Sequence, residues 1–269
     1  MPERCLLLFT KPARAGRVKT RLTRGEGALT AERAARLHAA FLGDLTERLL
    51  PAVAAGELRL RVAWALDDGA HDDDAPLPDL AAEVARCGVK LSGEGGLEIA
   101  PGLAVDAVRQ RGDDLGARLH TALAEAATDH PRGVAAVGSD HPALPLSGVR
   151  QAFARLDDGA DAVLGPAGDG GYYLVALAAG AVDERIFEGV PWSTPGVLAA
   201  TEARCRELGL RLDLLPTGDD VDEPADLDRL AVALAEGGDS EEGESADCPR
   251  TRRLLAAWGR LPAAAGVAP

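Results

Sequence analysis

Short apolar runs alternate with longer amphipathic stretches along most of this chain, and that alternation narrows the fold more than any other feature. Strands separated by helices specify a mostly parallel, helix-covered sheet, because a parallel strand pair needs a crossover long enough to hold a helix. Arg4–Phe9 (RCLLLF) and Gly133–Gly138 (GVAAVG) are continuous apolar runs of the kind buried on both faces of such a sheet. Further strands are expected at Arg59–Leu66, Ala162–Gly165, Tyr172–Leu177 and Leu210–Leu215, with weaker ones around Val89 and Leu97. Helical spacing marks Thr30–Leu50, with Thr30 as N-cap and Pro51 as terminator. It recurs at Leu80–Cys87, Asp113–Thr128, Leu146–Leu156, Pro195–Leu208 and Pro224–Glu236. Asp67–Asp79 has the composition of a solvated loop.

The pattern stops after Glu236. GGDSEEGESADCPRTRR is rich in Gly, Ser and acids with little to bury, which reads as a disordered linker. A single α/β domain over residues 1–237 is expected, followed by 238–269 as that linker and a short C-terminal segment, LLAAWGRLP, which either docks or floats and is not placed in the core. No run of about 18 apolar residues is present to span a bilayer. The start, MPERCLLLFT, lacks a small-residue cleavage site, so a cytoplasmic location is expected. Cys5, Cys87, Cys205 and Cys248 lie far apart without C-x-x-C spacing and are expected to be reduced and structural.

Charge is distributed unevenly. The chain carries 29 basic against 43 acidic residues, a net charge of -14. That balance argues against a protein that coats nucleic acid, whose binding rests on neutralising many phosphates. Residues 1–24 run the other way, with Arg4, Lys11, Arg14, Arg17, Lys19, Arg21 and Arg24 against Glu3 alone. Lysine is scarce: Lys11, Lys19 and Lys90 are the only three, and two of them lie in this stretch. A compact ammonium meets a phosphate oxygen as a point charge, which a guanidinium does not.

In open α/β sheets the chemistry sits at the carboxyl ends of the strands. The loop after the first strand, TKPARAGRVKTRLTR, reads as a phosphate cradle, with Gly16 admitting an anion to the backbone and Lys11, Arg14, Lys19 and Arg21 supplying charge. It matches neither G-x-G-x-x-G nor G-x-x-x-x-G-K-[ST]. After the most apolar strand, Gly138-Ser139-Asp140-His141-Pro142 delivers Asp140 where a carboxylate can hold a divalent cation. His141 is not expected to be a ligand. GPAGDGGYYLVAL reads equally as a hairpin turn at Asp169-Gly170 or as a close backbone approach to a substrate, with Gly171 and Tyr172 beside it. Trp192-Ser193-Thr194-Pro195 reads as a helix start, Thr194 capping. In Asp219–Asp226, Asp220 and Asp222 point to one side if the segment is extended, so it offers either a second metal carboxylate or only a helix N-terminus.

The order of these motifs carries a resemblance. Lys11-Pro12, Gly16–Leu22, Gln110 with Gly112–Gly116, GSDHP, GPAGDGGYYL, WST and DVDEP together resemble the radical-SAM/selenodomain-associated transferase family, over roughly residues 4–236. That family is glycosyltransferase-like and similar to the 2-phospholactate guanylyltransferases. The resemblance implies a Rossmann-like nucleotide-diphospho-sugar transferase (GT-A) domain, with Lys19 and Arg21 on nucleotide phosphates and Asp140 and Asp222 holding Mg²⁺ or Mn²⁺. Two departures stand out: Glu223 where threonine is frequent, and the acidic tail. The resulting expectation is a metal-dependent transferase with a nucleotide or nucleotide-sugar donor and a small-molecule acceptor. Lys19 and Asp140 would carry the chemistry, and Asp169, Gly170, Gly171 and Tyr172 would meet the acceptor. Glycosyl transfer leads; nucleotidyl transfer with release of pyrophosphate, or nucleotide binding without turnover, are the alternatives.

Overall fold

The computed structural model describes residues 2–66, 76–89, 97, 99–236 and 247–262. Seven strands form one sheet in the order β3-β2-β1-β4-β6-β5-β7. They are β1 (Arg4–Thr10), β2 (Arg59–Trp64), β3 (Val105–Arg109), β4 (Gly133–Gly138), β5 (Ala162–Pro166), β6 (Tyr172–Leu177) and β7 (Leu212–Leu214). All neighbours are parallel except β6, which runs antiparallel between β4 and β5. The start of β6 therefore lies at the same edge as the carboxyl ends of the other strands. That reversal brings Asp169–Tyr172 to the edge that carries the loops after β1 and β4.

Both runs read as buried strands are buried: Leu6, Leu7 and Leu8 of β1 and Val134 and Ala135 of β4 are at most 1% exposed. β3 escapes the sequence pattern. Neither Val89 nor Leu97 lies in a strand; the strand at that edge is Val105–Arg109, whose VDAVR has no buried residue and lacks an apolar run. The expected strand Leu210–Leu215 shortens to three residues. Much of the Asp67–Asp79 loop lies outside the described residues.

Helices cover both faces. α1 (Ala31–Ala54), α2 (Leu80–Ala85) and α4 (Leu146–Asp157) pack with one face of the sheet, and α3 (Leu115–Asp129) and α5 (Val197–Glu207) with the other. Thr30 caps α1 as expected, its hydroxyl accepting from Arg33 N at 3.2 Å. Pro51 does not end α1. It removes one N–H from the ladder, while Ala55 N still donates to Pro51 O at 3.0 Å and completes the last turn. Thr194 does not cap α5 either: that helix starts at Val197 with Gly196 at the N-cap, and the Thr194 hydroxyl accepts from Gly196 N at 3.2 Å within the preceding turn. α6 (Pro224–Ala235) begins as a helix N-terminus should, with Asp226 Oδ2 accepting from Asp222 N and Glu223 N at 2.9 and 2.7 Å. All four cysteines are buried and unbridged, and burial pushes the Cys5 and Cys248 thiols up to about 12.

The C-terminal segment departs most from expectation. Residues 237–246, the core of the expected linker, lie outside the described residues, but Pro249–Ala257 is a helix, α7, packed on α1. Leu254 and Leu255 are 1% and 0% exposed and join the cluster that holds Leu37, Phe41 and Leu227 or its neighbour around Ala39 and Ala40. LLAAWGRLP therefore docks, with Leu254 and Leu255 in the core. Asp44 of α1 acts as a cap in trans: its carboxylate accepts from Arg250 N, Thr251 N and the Thr251 hydroxyl at 2.9, 2.9 and 2.7 Å. The Arg250 guanidinium forks onto Glu47 at 2.5 and 2.7 Å. Gly43 makes the approach possible, since a Cβ there would sit 2.7 Å from both Arg250 Cδ and Val84 Cγ1.

Candidate functional site

A cleft of about 870 Å³ opens along the carboxyl edge of the sheet. Its floor is the ends of β1 and β4, including Phe9, Thr10, Val137 and Gly138. β1 lies centrally, so the loop that follows it is delivered to the middle of the cleft.

Lys19 is the hub. A 3₁₀ turn, Thr20–Thr23, follows it, and its own backbone is left-handed (φ 49°, ψ 39°), an uncommon state for a residue with a Cβ. Its side chain is 2% exposed and its ammonium sits 5.4 Å from the Phe41 ring centroid. Three acceptors surround Nζ: Val221 O at 2.5 Å, Asp140 Oδ1 at 2.6 Å and Asp222 Oδ1 at 3.5 Å. Arg21 reaches Asp222 Oδ2 at 3.4 Å from a half-exposed position. Burial works to raise the Asp140 carboxyl, but Lys19, by its charge and its hydrogen bond, together with His38 and Lys11 outweighs it and holds the group below the usual range. Burial pushes Asp222 up, helped by Asp140 and Asp220 against Lys19. Among the described residues no three His, Cys, Asp or Glu side chains converge as a metal cluster. What converges is a carboxylate pair and one carbonyl.

The structure brings together Lys11, Lys19, Arg21, Asp140, Asp169, Gly171, Tyr172 and Asp222 as cleft-lining residues. It does not bring Arg14 or Gly16 to the cleft. Gly16 supplies a left-handed turn (φ 74°) with open space where a Cβ would lie, so its role is the chain reversal rather than anion approach. Arg14 sits on the exposed shoulder of that turn, its N–H bonded to Pro12 O at 2.8 Å. The loop is pinned from beneath by Glu83 of α2, which accepts from Ala13 N at 2.7 Å. Nothing in the local sequence announces this long-range contact.

The turn reading of the GPAGDGGYY segment holds, and the same segment borders the cleft. Asp169 Oδ1 accepts from Gly171 N at 2.9 Å, an Asx turn, while Asp169, Gly171 and Tyr172 face the cleft. Gly170 does not line it; with φ 88° it lies where a Cβ would fall on the Pro195 carbonyl. Gly170→Ala is expected to cost at least about 2 kcal/mol, or about 4 °C or more in Tm, since both conformation and space are wrong. A thermal melt within 1 °C of the parent would refute that packing. The close fit sets the neighbouring loop, so Tyr172 and Trp192 meet edge-on at 6.3 Å and both line the cleft. Trp192 thus lines the cleft, although WSTP reads mainly as a helix start.

His141 lies behind its loop, 4.9 Å from the Tyr173 ring and 3.7 Å from Asp220 Oδ1 by Nδ1, and is no part of the carboxylate pair. Residues the sequence did not single out include His38, Arg17, Leu115 and Arg118, all lining the cleft. His38 is buried, its Nε2 within 3.0 Å of Lys11 O and 3.2 Å of Thr10 Oγ1, and burial lowers its pKa. A histidine inside the apolar stripe of α1 was its only available signal. Gln110 braces the floor, donating to Ala63 O at 2.8 Å.

The charges of the cleft divide by sequence. Among its described lining residues, those before position 120 include Lys11, Arg17, Lys19, Arg21 and Arg118 but no carboxylate. Those after position 137 include Asp140, Asp169, Asp220, Asp222 and Glu223 but no cation. Lys19 and Arg21 of the first set pair with Asp140 and Asp222 of the second.

A profile of the family described as an uncharacterized protein conserved in bacteria (DUF2064) matches residues 80–194. No curated protein sequence matches. A solved structure from Desulfovibrio desulfuricans G20, provisionally assigned as a nucleotide-diphospho-sugar transferase, is 28% identical, with a TM-score of 0.70 over 97% of both chains. A cytidylyltransferase from Leptospira borgpetersenii serovar Hardjo-bovis (strain JB197) is 11% identical, with a TM-score of 0.51 over 97% of both chains, a likeness of fold alone. The seven-stranded, mostly parallel, helix-flanked sheet of this chain is the nucleotide-diphospho-sugar transferase fold.

Proposed function

We propose that this protein is a metal-dependent transferase that takes a nucleotide-activated donor, and that it transfers a glycosyl group from a nucleotide sugar to a small acceptor. The division of charge across the cleft carries the reading. Lys11, Arg17, Arg21 and Arg118 form a wall suited to donor phosphates. Asp169, Asp220 and Glu223 also line the cleft, with Tyr172 and Trp192, and suit a neutral or cationic hydroxylated acceptor better than an acidic one, which these carboxylates would repel. The transferase-like fold supports the same class, as does the resemblance of the motif order to the radical-SAM/selenodomain-associated family.

Mg²⁺ or Mn²⁺ fits the oxygens present. Asp140 Oδ1, Asp222 Oδ1 and Val221 O surround one point, and hard divalent cations favour carboxylate and carbonyl donors, completing their shell with water and phosphate oxygens. A bound cation would neutralise charge developing on the departing diphosphate. Lys11 and Arg21 would orient the phosphates, and Trp192 and Tyr172 would exclude water from the face that the acceptor approaches.

The products decide the reaction. Incubated with Mg²⁺, nucleotide sugars, nucleoside triphosphates and pools of neutral, amino and acidic acceptors, the protein should release a nucleoside diphosphate from a nucleotide sugar with a non-acidic acceptor. Pyrophosphate released from a triphosphate with an acidic acceptor would instead establish nucleotidyl transfer of the 2-phospholactate guanylyltransferase kind. Tight binding without either product would mark a non-catalytic nucleotide-binding protein.

A further inference from the structure

We propose that the Lys19 ammonium and a divalent cation are alternative occupants of one seat, so that the cation enters as phosphate draws Lys19 out. This inference rests on the reading of Asp140 and Asp222 as cation ligands for donor phosphates. It assigns Lys19 a second role that phosphate binding does not include.

An ammonium has three N–H donors. The three acceptors around Lys19 Nζ match them one for one, leaving none for a phosphate: Val221 O, Asp140 Oδ1 and Asp222 Oδ1. These are the same oxygens that would hold the cation. A divalent cation and an ammonium cannot share that space, because at such close range their repulsion is twice that of two unit charges and is little screened at a buried site. Lys19 is moreover buried, 2% exposed, with the Phe41 face beneath it. A cation arriving alone must expel the ammonium without giving it a new partner. Donor phosphates in the cleft supply that partner, since the loop of Lys19 forms the basic wall beside them. Cation and phosphate therefore help each other to bind, and reciprocity makes the help equal in both directions.

The seat makes an unusual demand on substitution: neutralising Lys19 should strengthen one ligand of the site. Without nucleotide, Mn²⁺ titrated into the full chain and followed by the loss of the free-ion paramagnetic resonance signal should bind Lys19→Met at least tenfold more tightly than wild type. Lys19→Arg, which keeps a cation there, should stay weak. Adding Asp140→Asn to Lys19→Met should abolish the gain, placing the ion at the pair. Equal or weaker Mn²⁺ binding by Lys19→Met, with its melting transition intact, would overturn the proposal.

A measurement on the unaltered protein guards against a variant that does not fold. With only three lysines in the chain, acetylation by acetic anhydride can be mapped by mass spectrometry at each one. Lys19 should react more slowly than Lys11 in the absence of metal, and saturating Mn²⁺ should accelerate Lys19 selectively. Unchanged or increased protection of Lys19 under Mn²⁺ would overturn the shared seat. No nucleotide enters either experiment, so failure here is distinguishable from failure of the transferase reading, which the product assay tests alone.

Discussion

A chain ending at Gly238 is expected to melt about 10 °C or more below the full-length protein, although the composition of its tail suggests a dispensable appendage. The removed helix α7 buries Leu254 and Leu255 against α1. At about 1.5–3 kcal/mol for each fully buried aliphatic side chain, those two alone account for several kcal/mol. Truncation also uncovers Phe41 and Leu37 and strips the Asp44 carboxylate, 2% exposed, of its three donors. Exposing the apolar partners of Leu254 and Leu255 on α1 to water adds to that loss. A total above about 5 kcal/mol converts to about 10 °C at 2–4 °C per kcal/mol for a domain of this size. Differential scanning calorimetry of the two chains is the check, and a difference below 3 °C would mean that α7 contributes nothing to the core. Asp44→Ala isolates the cap and should reproduce only part of the loss.

The consequence reaches the cleft. Arg48 of α1 donates to Pro142 O and Leu144 O at 2.6 and 3.1 Å and to Asp247 O at 2.6 Å, while Cys248 Sγ lies 3.2 Å from Pro142 O. The turn that follows Asp140 is thus tied to the segment that leads into α7. Truncation should loosen it, and weaker binding of phosphate ligands should accompany the fall in melting temperature.

Why α7 escaped a reading of the sequence is a matter of what its packing uses. Its partners are Gly43, Asp44 and Glu47, two hundred residues away, and a small residue and two acids on a helix look like solvated positions until another helix arrives. β3 was hidden differently: an edge strand with one flank open to solvent needs no apolar run, so VDAVR carries no strand signal. Strands buried on both faces, by contrast, must be apolar throughout, which is why β1 and β4 were legible to within a residue. The same logic governs the site. Asp140 follows the most apolar strand and had one place to be, so its position could be inferred. The cradle loop could be recognised by charge but not resolved residue by residue, because the turn at Gly16 aims Arg14 away and Lys19 inward. That Lys19 faces two carboxylates rather than a ligand depends on the loop after β7 returning to the loop after β1, a contact across two hundred residues.

Asp140→Asn is expected to separate stability from ligand binding in a way that tests the whole arrangement. The amide keeps the shape of the side chain and loses its charge, so Lys19, buried at 2% exposure, keeps only Val221 O at 2.5 Å and Asp222 at 3.5 Å as strong acceptors. An under-compensated buried ammonium should cost about 1–3 kcal/mol, visible as a lower melting temperature. The Mg²⁺-dependent part of nucleotide binding should fall about a hundredfold, since one of two anionic ligands is gone and each factor of ten is worth about 1.4 kcal/mol. Adding Lys19→Met removes the stranded charge, so the double variant should regain most of the lost stability while binding stays weak. That opposite response is what contact between the two side chains demands, because substitutions at touching residues do not add. Melting curves and calorimetric titration with and without Mg²⁺, on the single and double variants, measure both quantities. A double variant less stable than either single one would remove Lys19 from contact with Asp140, and a Mg²⁺ increment unchanged in Asp140→Asn would remove the cation from this pair of carboxylates.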